Sequence, residues 1–327
     1  MRLKDRCIFL VTVLTTAWLS ACALATPPVS TKEVIPSPTI EAGLSSTTKT
    51  IPVTDGRDRT VTVAAPAQRV VSLAPSNTEI LFAIGAGAQV VGRDAFSDYP
   101  AEATTLFDVG GSFGELNTEV ILAQNPDLVL ASHLTPLEQI EALENLGLTV
   151  LSLANPKDFE GMYDNLRLVA RLTGHQPEAE KLVEELAARV AAIEEKITLA
   201  KEHPLVFYEL DGTDPSAPWT SGPGTFVDTL IGMAGGENLG SSLGSEWAQI
   251  SIEELIARNP DIILLGSAHW GGVTPEEVKA RTGWGALEAV KNDRLFTFDD
   301  NLVSRPGPRL VDGLEAMAKL LHPELFE

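Results

Sequence analysis

The sequence predicts an α/β protein of two similar lobes with mainly parallel sheets, joined by one long rigid α-helix, with a ligand cleft between the lobes. Three observations carry this expectation. The first is residues 177–201, where Ala179, Leu182, Val183, Leu186, Val190, Ile193 and Ile197 form one apolar stripe at helical spacing. Pro177 suits a first helical turn, Glu178 and Glu180 meet the positive helix end, and such a helix spans roughly 37 Å. The second is that its two flanks repeat. Asn117-Thr-Glu-Val-Ile-Leu-Ala-Gln-Asn-Pro-Asp127 runs into Leu128-Val-Leu-Ala131, and Ser251-Ile-Glu-Glu-Leu-Ile-Ala-Arg-Asn-Pro-Asp261 runs into Ile262-Ile-Leu-Leu265. Glu119, Ala123, Asn125, Pro126 and Asp127 thus recur as Glu253, Ala257, Asn259, Pro260 and Asp261 at one constant offset. The third is an alternation of short apolar runs and amphipathic helices with brief connections, the pattern of a covered parallel sheet.

A chain of 327 residues is about twice a common domain size, which suits two lobes that each bury a core. A net charge of −21 argues against nucleic acid and anionic lipid surfaces as partners. Cys7 and Cys22 are its two cysteines, so the folded part is expected to hold neither a disulfide framework nor a cysteine metal site.

The elements follow in order. Arg2, Lys4 and Arg6 precede an apolar run over residues 7–19 that is short for a bilayer span, which reads as an export signal. Its end, Leu19-Ser-Ala-Cys22, resembles the lipobox of bacterial lipoproteins, which implies a lipid anchor on Cys22. Residues 23–50, rich in Thr, Ser and Pro, read as a disordered tether. Residues 51–53 and 59–63 flank Asp55-Gly56 as a hairpin. Strands are expected at 69–74, 89–92, 128–131 and 149–153, with helices opening at Pro75 and covering 118–124, 136–146 and 158–172; Gly174 ends the last of these. Beyond the long helix, strands are expected at 205–208, 262–265 and 294–298 and helices at 224–234 and 308–321. The division is therefore a leader (1–21), a tether (22–50), an N-terminal lobe (51–174), a linking helix (175–202) and a C-terminal lobe (203–327).

Four stretches carry a family resemblance: the run from Arg69-Val-Val-Ser-Leu-Ala-Pro-Ser-Asn-Thr-Glu79 to Gly85, Ser97-Asp-Tyr-Pro100, residues 117–127, and Trp247-Ala-Gln-Ile-Ser251. In order and spacing the chain resembles the substrate-binding proteins of ATP-driven (ABC) importers, in the helical-backbone class for cobalamin, haem and ferric siderophores. It looks most like the cobalamin-binding branch. The resemblance implies a monomeric, extracytoplasmic, lipid-anchored binding protein that delivers a corrinoid to a membrane permease, with a ferric siderophore or haem as the alternative. No resident cofactor and no enzymatic activity are implied. Contact with the membrane would be through the anchor alone, and lobe opening would be a small tilt.

The resemblance also assigns residues. Glu119 and Glu253, one per repeat, match positions at which the family meets permease arginines; as bare sequence they are also ordinary helix-start carboxylates. Phe96 and Trp247 match cobalamin-contact positions, and Phe113 stands where that branch often has tryptophan. Trp219, Trp247 and Trp270 fall in polar or Gly/Pro-rich stretches that read as loops, and together with Phe96 and Phe113, and with Tyr208 behind all five, they supply flat surface for a planar macrocycle. Arg305, in Ser304-Arg-Pro-Gly-Pro308, matches a family loop that often points an arginine into the cleft, where it would bind a polar ligand edge. His133 and His269 each follow a strand; two histidines are a weak metal signal, and axial ligation of a haem or cobalt is the alternative to ordinary histidines.

One enzyme reading competes. Gly110-Gly-Ser-Phe-Gly114 matches the nucleophile-elbow pattern of a serine hydrolase built on Ser112. That pattern needs a core strand directly before it and a helix directly after, whereas residues 105–109 make a poor core strand and loop is expected up to Thr118.

Overall fold

The computed structural model describes residues 49–111 and 114–326. The leader, Cys22 and nearly all of the tether, with Ser112 and Phe113, lie outside the described residues. The hairpin comes first: β1 (Lys49–Thr54) and β2 (Thr60–Ala65) pair antiparallel. Its turn is fixed by Asp55, whose carboxylate accepts from the backbone N–H groups of Arg57 (2.9 Å) and Arg59 (3.0 Å) and pairs with the Arg59 guanidinium (2.7 Å).

A parallel sheet follows, built from β3 (Val70–Ser72), β4 (Val90–Arg93), β5 (Phe107–Asp108), β6 (Leu128–Ala131) and β7 (Val150–Ser152) in the order β5-β4-β3-β6-β7. The second half supplies β8 (Leu205–Glu209), β9 (Trp219–Ser221), β10 (Glu237–Asn238), β11 (Trp247–Gln249), β12 (Ile262–Leu265) and β13 (Leu295–Thr297). Of these, β10-β8-β12-β13 form a second parallel sheet, while β9 and β11 pair antiparallel as a separate ribbon. The wiring of the two sheets matches. In each, the first strand sits inside the sheet, the next pairs on one side and a later one on the other. Where the order reverses, loops at the strand carboxyl ends diverge and leave a crevice.

Strand alternation then sorts the core. Val70, Leu128, Leu130, Val206, Tyr208, Ile262 and Leu264 belong to one apolar cluster, which also holds the buried stripe of the long helix. Their neighbours Val71, Val129 and Ala131 line a second cluster on the far face of the first sheet, and Phe207, Ile263 and Leu265 a third on the far face of the other. Each lobe thus buries a core of its own on the outer face of its sheet, as expected. The inner faces of both sheets share one core, continuous through the linking helix, because that helix is greasy toward both lobes.

That helix is Gln176–Ile197, 22 residues and about 33 Å long. It packs between Phe159–Thr173 of the first lobe and Leu310–Leu321 of the second, burying Ala179, Val183, Leu186, Val190 and Ile193. Each of the buried Val, Leu and Ile side chains contributes about 1.5–3 kcal/mol by leaving water, and Ala179 less. Gly174, at φ +88°, ends the preceding helix in the left-handed cap that lets the chain turn into it.

The sequence repeat has a structural cause. Asn125 and Asn259 both take positive φ (47° and 50°) just after their helices. The Asp127 carboxylate accepts from the N–H groups of Gln68 (2.8 Å) and Arg69 (3.0 Å), and that of Asp261 from Leu205 N–H (2.8 Å). Each Asn-Pro-Asp thus ties an inner strand to the first strand of its sheet. Among the described residues, no helix is long and apolar enough to cross a membrane.

Candidate functional site

A cavity of about 770 Å³ lies where the carboxyl ends of the two parallel sheets face each other. The first lobe's wall begins with Leu73, Ala74, Pro75, Ser76 and Asn77, the turn from β3 into the helix Pro75–Ala83. Asn77 Nδ2 donates to the carbonyls of Leu130 and Ala131 (3.1 Å each), pinning this turn to the end of β6. Beside it the Ser132–Thr135 loop folds on itself, Thr135 N–H donating to the Ser132 carbonyl (3.1 Å). Arg57, reaching over from the hairpin, donates to the carbonyls of His133 (3.0 Å) and Thr135 (2.5 Å).

Phe96 enters the cavity on a turn held by Asp94, which accepts from Phe96 N–H (3.1 Å) and from the Ser97 hydroxyl. Thr78, on the helix, shares a hydrogen bond with Ser97 (2.7 Å). The turn is therefore fixed while the ring stays 52% exposed.

The opposite wall is aromatic and acidic. Trp247 opens β11, and Gly222 brings the Ser245–Trp247 segment close; a Cβ on Gly222 would collide with the Ser245 carbonyl. Trp270 rides on a short helix, Ser267–Gly271, directly after β12. Ser267 Oγ anchors that helix by donating to Glu209 (3.0 Å), which also receives Arg281. Trp247 and Trp270 are 47% and 53% exposed, unusual for such large apolar groups on a fixed frame. Glu246 stands beside Trp247, while Asp300, Asn301, Val303, Ser304 and Arg305 close the wall from the segment after β13.

The candidate residues thus separate. Phe96, Trp247, Trp270, Arg305 and His133 line one cavity. Trp219, 39% exposed at the start of β9, is not among its lining residues, and His269 also stands outside it, bonded through Nε2 to Asn301 (2.5 Å). Tyr208 is fully buried: Gly266 packs against its ring, and its hydroxyl donates to Asp300 (2.6 Å). Tyr208 therefore orients an acid of the wall and does not face a ligand. The loop reading of the tryptophans is also corrected. Trp219 and Trp247 sit on paired antiparallel strands and Trp270 on a helical turn, because strands this short carry no readable alternation.

Arg305 comes with a network that sequence reading missed. It pairs with Asp98 (2.5 Å) and lies 3.6 Å from Glu79, a buried acid on the helix Pro75–Ala83. Arg309, at the start of the last helix, holds Glu79 with two hydrogen bonds (2.9 and 2.6 Å) and stacks over the Tyr99 ring at 4.1 Å. Burial pushes the Glu79 carboxyl above its usual range although both arginines pull it down. At Asp98 burial acts the same way, but the Arg305 hydrogen bond and charge outweigh it and hold the carboxyl low. An acid directly before Ile80-Leu-Phe in a core helix was the signal available in the sequence.

The cavity's electrostatics follow from position. Burial lowers the His133 pKa and the Arg57 charge lowers it further, against the pull of Glu246, a shift that favours the neutral imidazole. Burial raises the Asp300 carboxyl against the Tyr208 hydrogen bond. Among the described residues no cluster of three or more His, Cys, Asp or Glu could hold a metal ion.

Glu119 and Glu253 lie away from the cavity lining. Each is exposed in the first turn of its helix, Thr118–Ala123 or Ile252–Arg258. Asn117 and Ser251 cap those turns, accepting from Val120 and Glu254 N–H groups at 3.1 and 3.2 Å. Among the described residues neither glutamate forms an ion pair. The elbow pattern at Gly110–Gly114 has neither flank it needs: β5 is a two-residue exposed edge, Gly110 pairs back with Leu116, and the helix waits until Thr118.

Comparison with known proteins places this geometry. The chain is 33% identical over 287 residues to an uncharacterised ABC transporter substrate-binding lipoprotein, YvrC, of Bacillus subtilis (strain 168), covering 86% of this chain and 88% of that one. It is 32% identical over 248 residues to the vitamin B12-binding protein of Pectobacterium atrosepticum (75% and 85% covered). Among solved structures, the periplasmic heme-binding protein RhuT from Roseiflexus sp. RS-1 superposes with a TM-score of 0.71 at 28% identity, covering 79% of this chain and 99% of that one. Residues 70–302, more than half of the chain, match the model of the periplasmic binding protein family. The chain belongs to that family, as the substrate-binding component of an ABC transporter that works with a membrane permease.

Proposed function

We propose that this protein captures a corrinoid in the cleft between its lobes and hands it to the permease, acting as a monomer tethered outside the cell membrane by a lipid on Cys22. One observation carries the ligand reading: a cavity of about 770 Å³ at the carboxyl ends of two parallel sheets, into which Trp247, Trp270 and Phe96 present exposed rings. Flat apolar rings on a rigid frame suit a planar macrocycle, and vitamin B12-binding relatives support the choice. The shared core along the long helix and the Glu79–Arg309 tie between the lobes support an opening by small tilt rather than a wide clamshell.

In the same reading Phe96, Trp247 and Trp270 hold the macrocycle, Arg305 meets a polar edge while staying tied to Asp98, and Phe113 is a further ligand contact. Glu119 and Glu253 dock to cationic sockets of the permease. Asn117 and Ser251 cap their turns, so the two exposed carboxylates add only a small interaction with the helix ends and are open to a partner. The lipoprotein relative supports the anchor on Cys22. The protein performs no catalysis in this reading, and Ser112 is not a nucleophile. Haem is the second reading, favoured by His133 in the cavity wall as an axial ligand and by the likeness to a heme-binding structure.

Titration of the purified protein with cyanocobalamin, cobinamide, haemin and ferric siderophores, read by tryptophan quenching, is the decisive experiment. Tight binding of corrinoids with weak or no haemin binding is the expected result. Tight binding of haemin alone, lost in His133→Ala, would replace the corrinoid reading with the second one.

A further inference from the structure

The two walls of the cleft differ in charge, and the protein does not balance the difference. The carboxylate of Glu246, beside Trp247, makes no hydrogen bond or ion pair among the described residues, and its charge is felt by His133 across the cavity. Asp300 receives a neutral donor, the Tyr208 hydroxyl at 2.6 Å. The lining arginine, Arg305, is already engaged by Asp98 (2.5 Å) and Glu79 (3.6 Å). Arg57 sits behind the His133 loop, with its guanidinium spent on the carbonyls of His133 and Thr135, and is not part of the lining.

We propose that the cleft selects its cargo by charge: Glu246 and Asp300 favour a macrocycle that presents amide donors or positive charge to the Trp247–Trp270 wall and reject one that presents carboxylates there. This rests on the reading that the cleft takes a macrocyclic cargo, and it adds which rim chemistry that cargo carries. A carboxylate entering this wall would lose hydration and meet two like charges with no uncommitted cation to pair with. A primary amide in the same place would donate to an ionised acceptor, a hydrogen bond roughly twice as strong as a neutral one. The long-range field points the same way, since the chain carries a net charge of −21. Selection by charge therefore separates amide-rimmed corrinoids from carboxylate-bearing porphyrins on similar aromatic surface.

The test compares cyanocobalamin with its monocarboxylic acid derivatives, in which one peripheral amide is hydrolysed, at low and high salt. The derivative whose carboxylate meets this wall should bind about tenfold more weakly at low salt, with the gap narrowing as salt screens it. Glu246→Gln, an exposed change that leaves the frame intact, should close most of that gap, and Asp300→Asn the remainder. All monocarboxylates binding as tightly as the parent would overturn the proposal, as would a gap unchanged in both variants. If no corrinoid binds, the reading of the function falls separately, and a cationic against an anionic ferric siderophore decides the matter. Cation preference lost in Glu246→Gln upholds charge selection, and preference for the anion overturns it.

Discussion

The two lobes share a frame and differ in what they turn toward the cleft. In both, an Asn at positive φ, a Pro and an Asp close a short helix and pin an inner strand to the first strand of the sheet. In both, strand order reverses beside that first strand. Yet the first wall offers one exposed ring, Phe96, among aliphatic side chains and spent polar groups, Asn77 bonded twice to backbone and Thr135 folded into its own loop. The second carries two exposed indoles and two acids. Backbone satisfaction dictates the repeat, because the same strand-to-strand tie is needed twice. Nothing in that frame constrains the wall residues, so there the lobes are free to diverge.

The largest effect should come from breaking the equivalence on the outer face. Glu119→Lys and Glu253→Lys should each cut uptake about tenfold or more while leaving ligand binding in solution unchanged, since a lost partner in a desolvated charge pair costs several kcal/mol. The double reversal should be worst, and reversals at exposed Glu184 or Glu194 should do little. Uptake indifferent to both changes would return the two residues to helix-end charges.

The cleft walls should come next. Trp247→Ala should weaken corrinoid binding by about 2 kcal/mol, near thirtyfold, as truncating a central aromatic anchor does, and Phe96→Ala by about 1 kcal/mol. Titration of both variants checks the order, and a larger loss at Phe96 would shift the ligand to the first lobe's wall.

Within the shared frame the two lobes should respond alike but unequally. Asp127→Ala removes two backbone partners and should cost about 2 kcal/mol, whereas Asp261→Ala removes one and should cost about 1 kcal/mol. Urea midpoints measure both. Equal losses would mean that exposure, rather than hydrogen-bond number, sets the value of the tie.

The smallest effects concern pH, and two acids should act with opposite sign. Asp55 is held below its ordinary value of 3.8, because Arg59 and the backbone donors outweigh the cost of burial. Its contribution is present above 3.8 and fades as pH falls through the lowered folded value, so Asp55→Asn should flatten the acid limb of the stability curve. Glu79 is raised above 4.5 by burial. Its contribution is full below 4.5 and declines as pH rises through the raised folded value, so Glu79→Gln should remove that decline. Thermal melts across pH check both, and slopes of the same sign would contradict the assignment.

Much of this was legible in the chain. The stripe of the long helix matches the buried set, with Leu182 and Ile197 partly buried at its edges, because one face of a helix must meet the core wherever the helix lies. The strands expected at 128–131 and 262–265 stand at those positions. The aromatic candidates were legible as residue types but not as places. Nothing in the sequence separates Trp247, on the cavity wall, from Trp219, outside it, when both open three-residue strands of one ribbon. Tyr208 failed for a related reason: alternation in β8 marks which face a side chain takes, not whether that face ends in a ligand or in Asp300.

By itself the sequence determined periodicity, turns and the repeated tie, all of which act over a few residues and are written where they act. Tertiary structure decided the pairing of Glu79 with Arg305 and Arg309, the union of both sheets' inner faces in one core and the uncompensated Glu246 and Asp300. These depend on distances between segments some two hundred residues apart, and a charge acquires its energetic meaning only from the neighbours and burial that folding gives it.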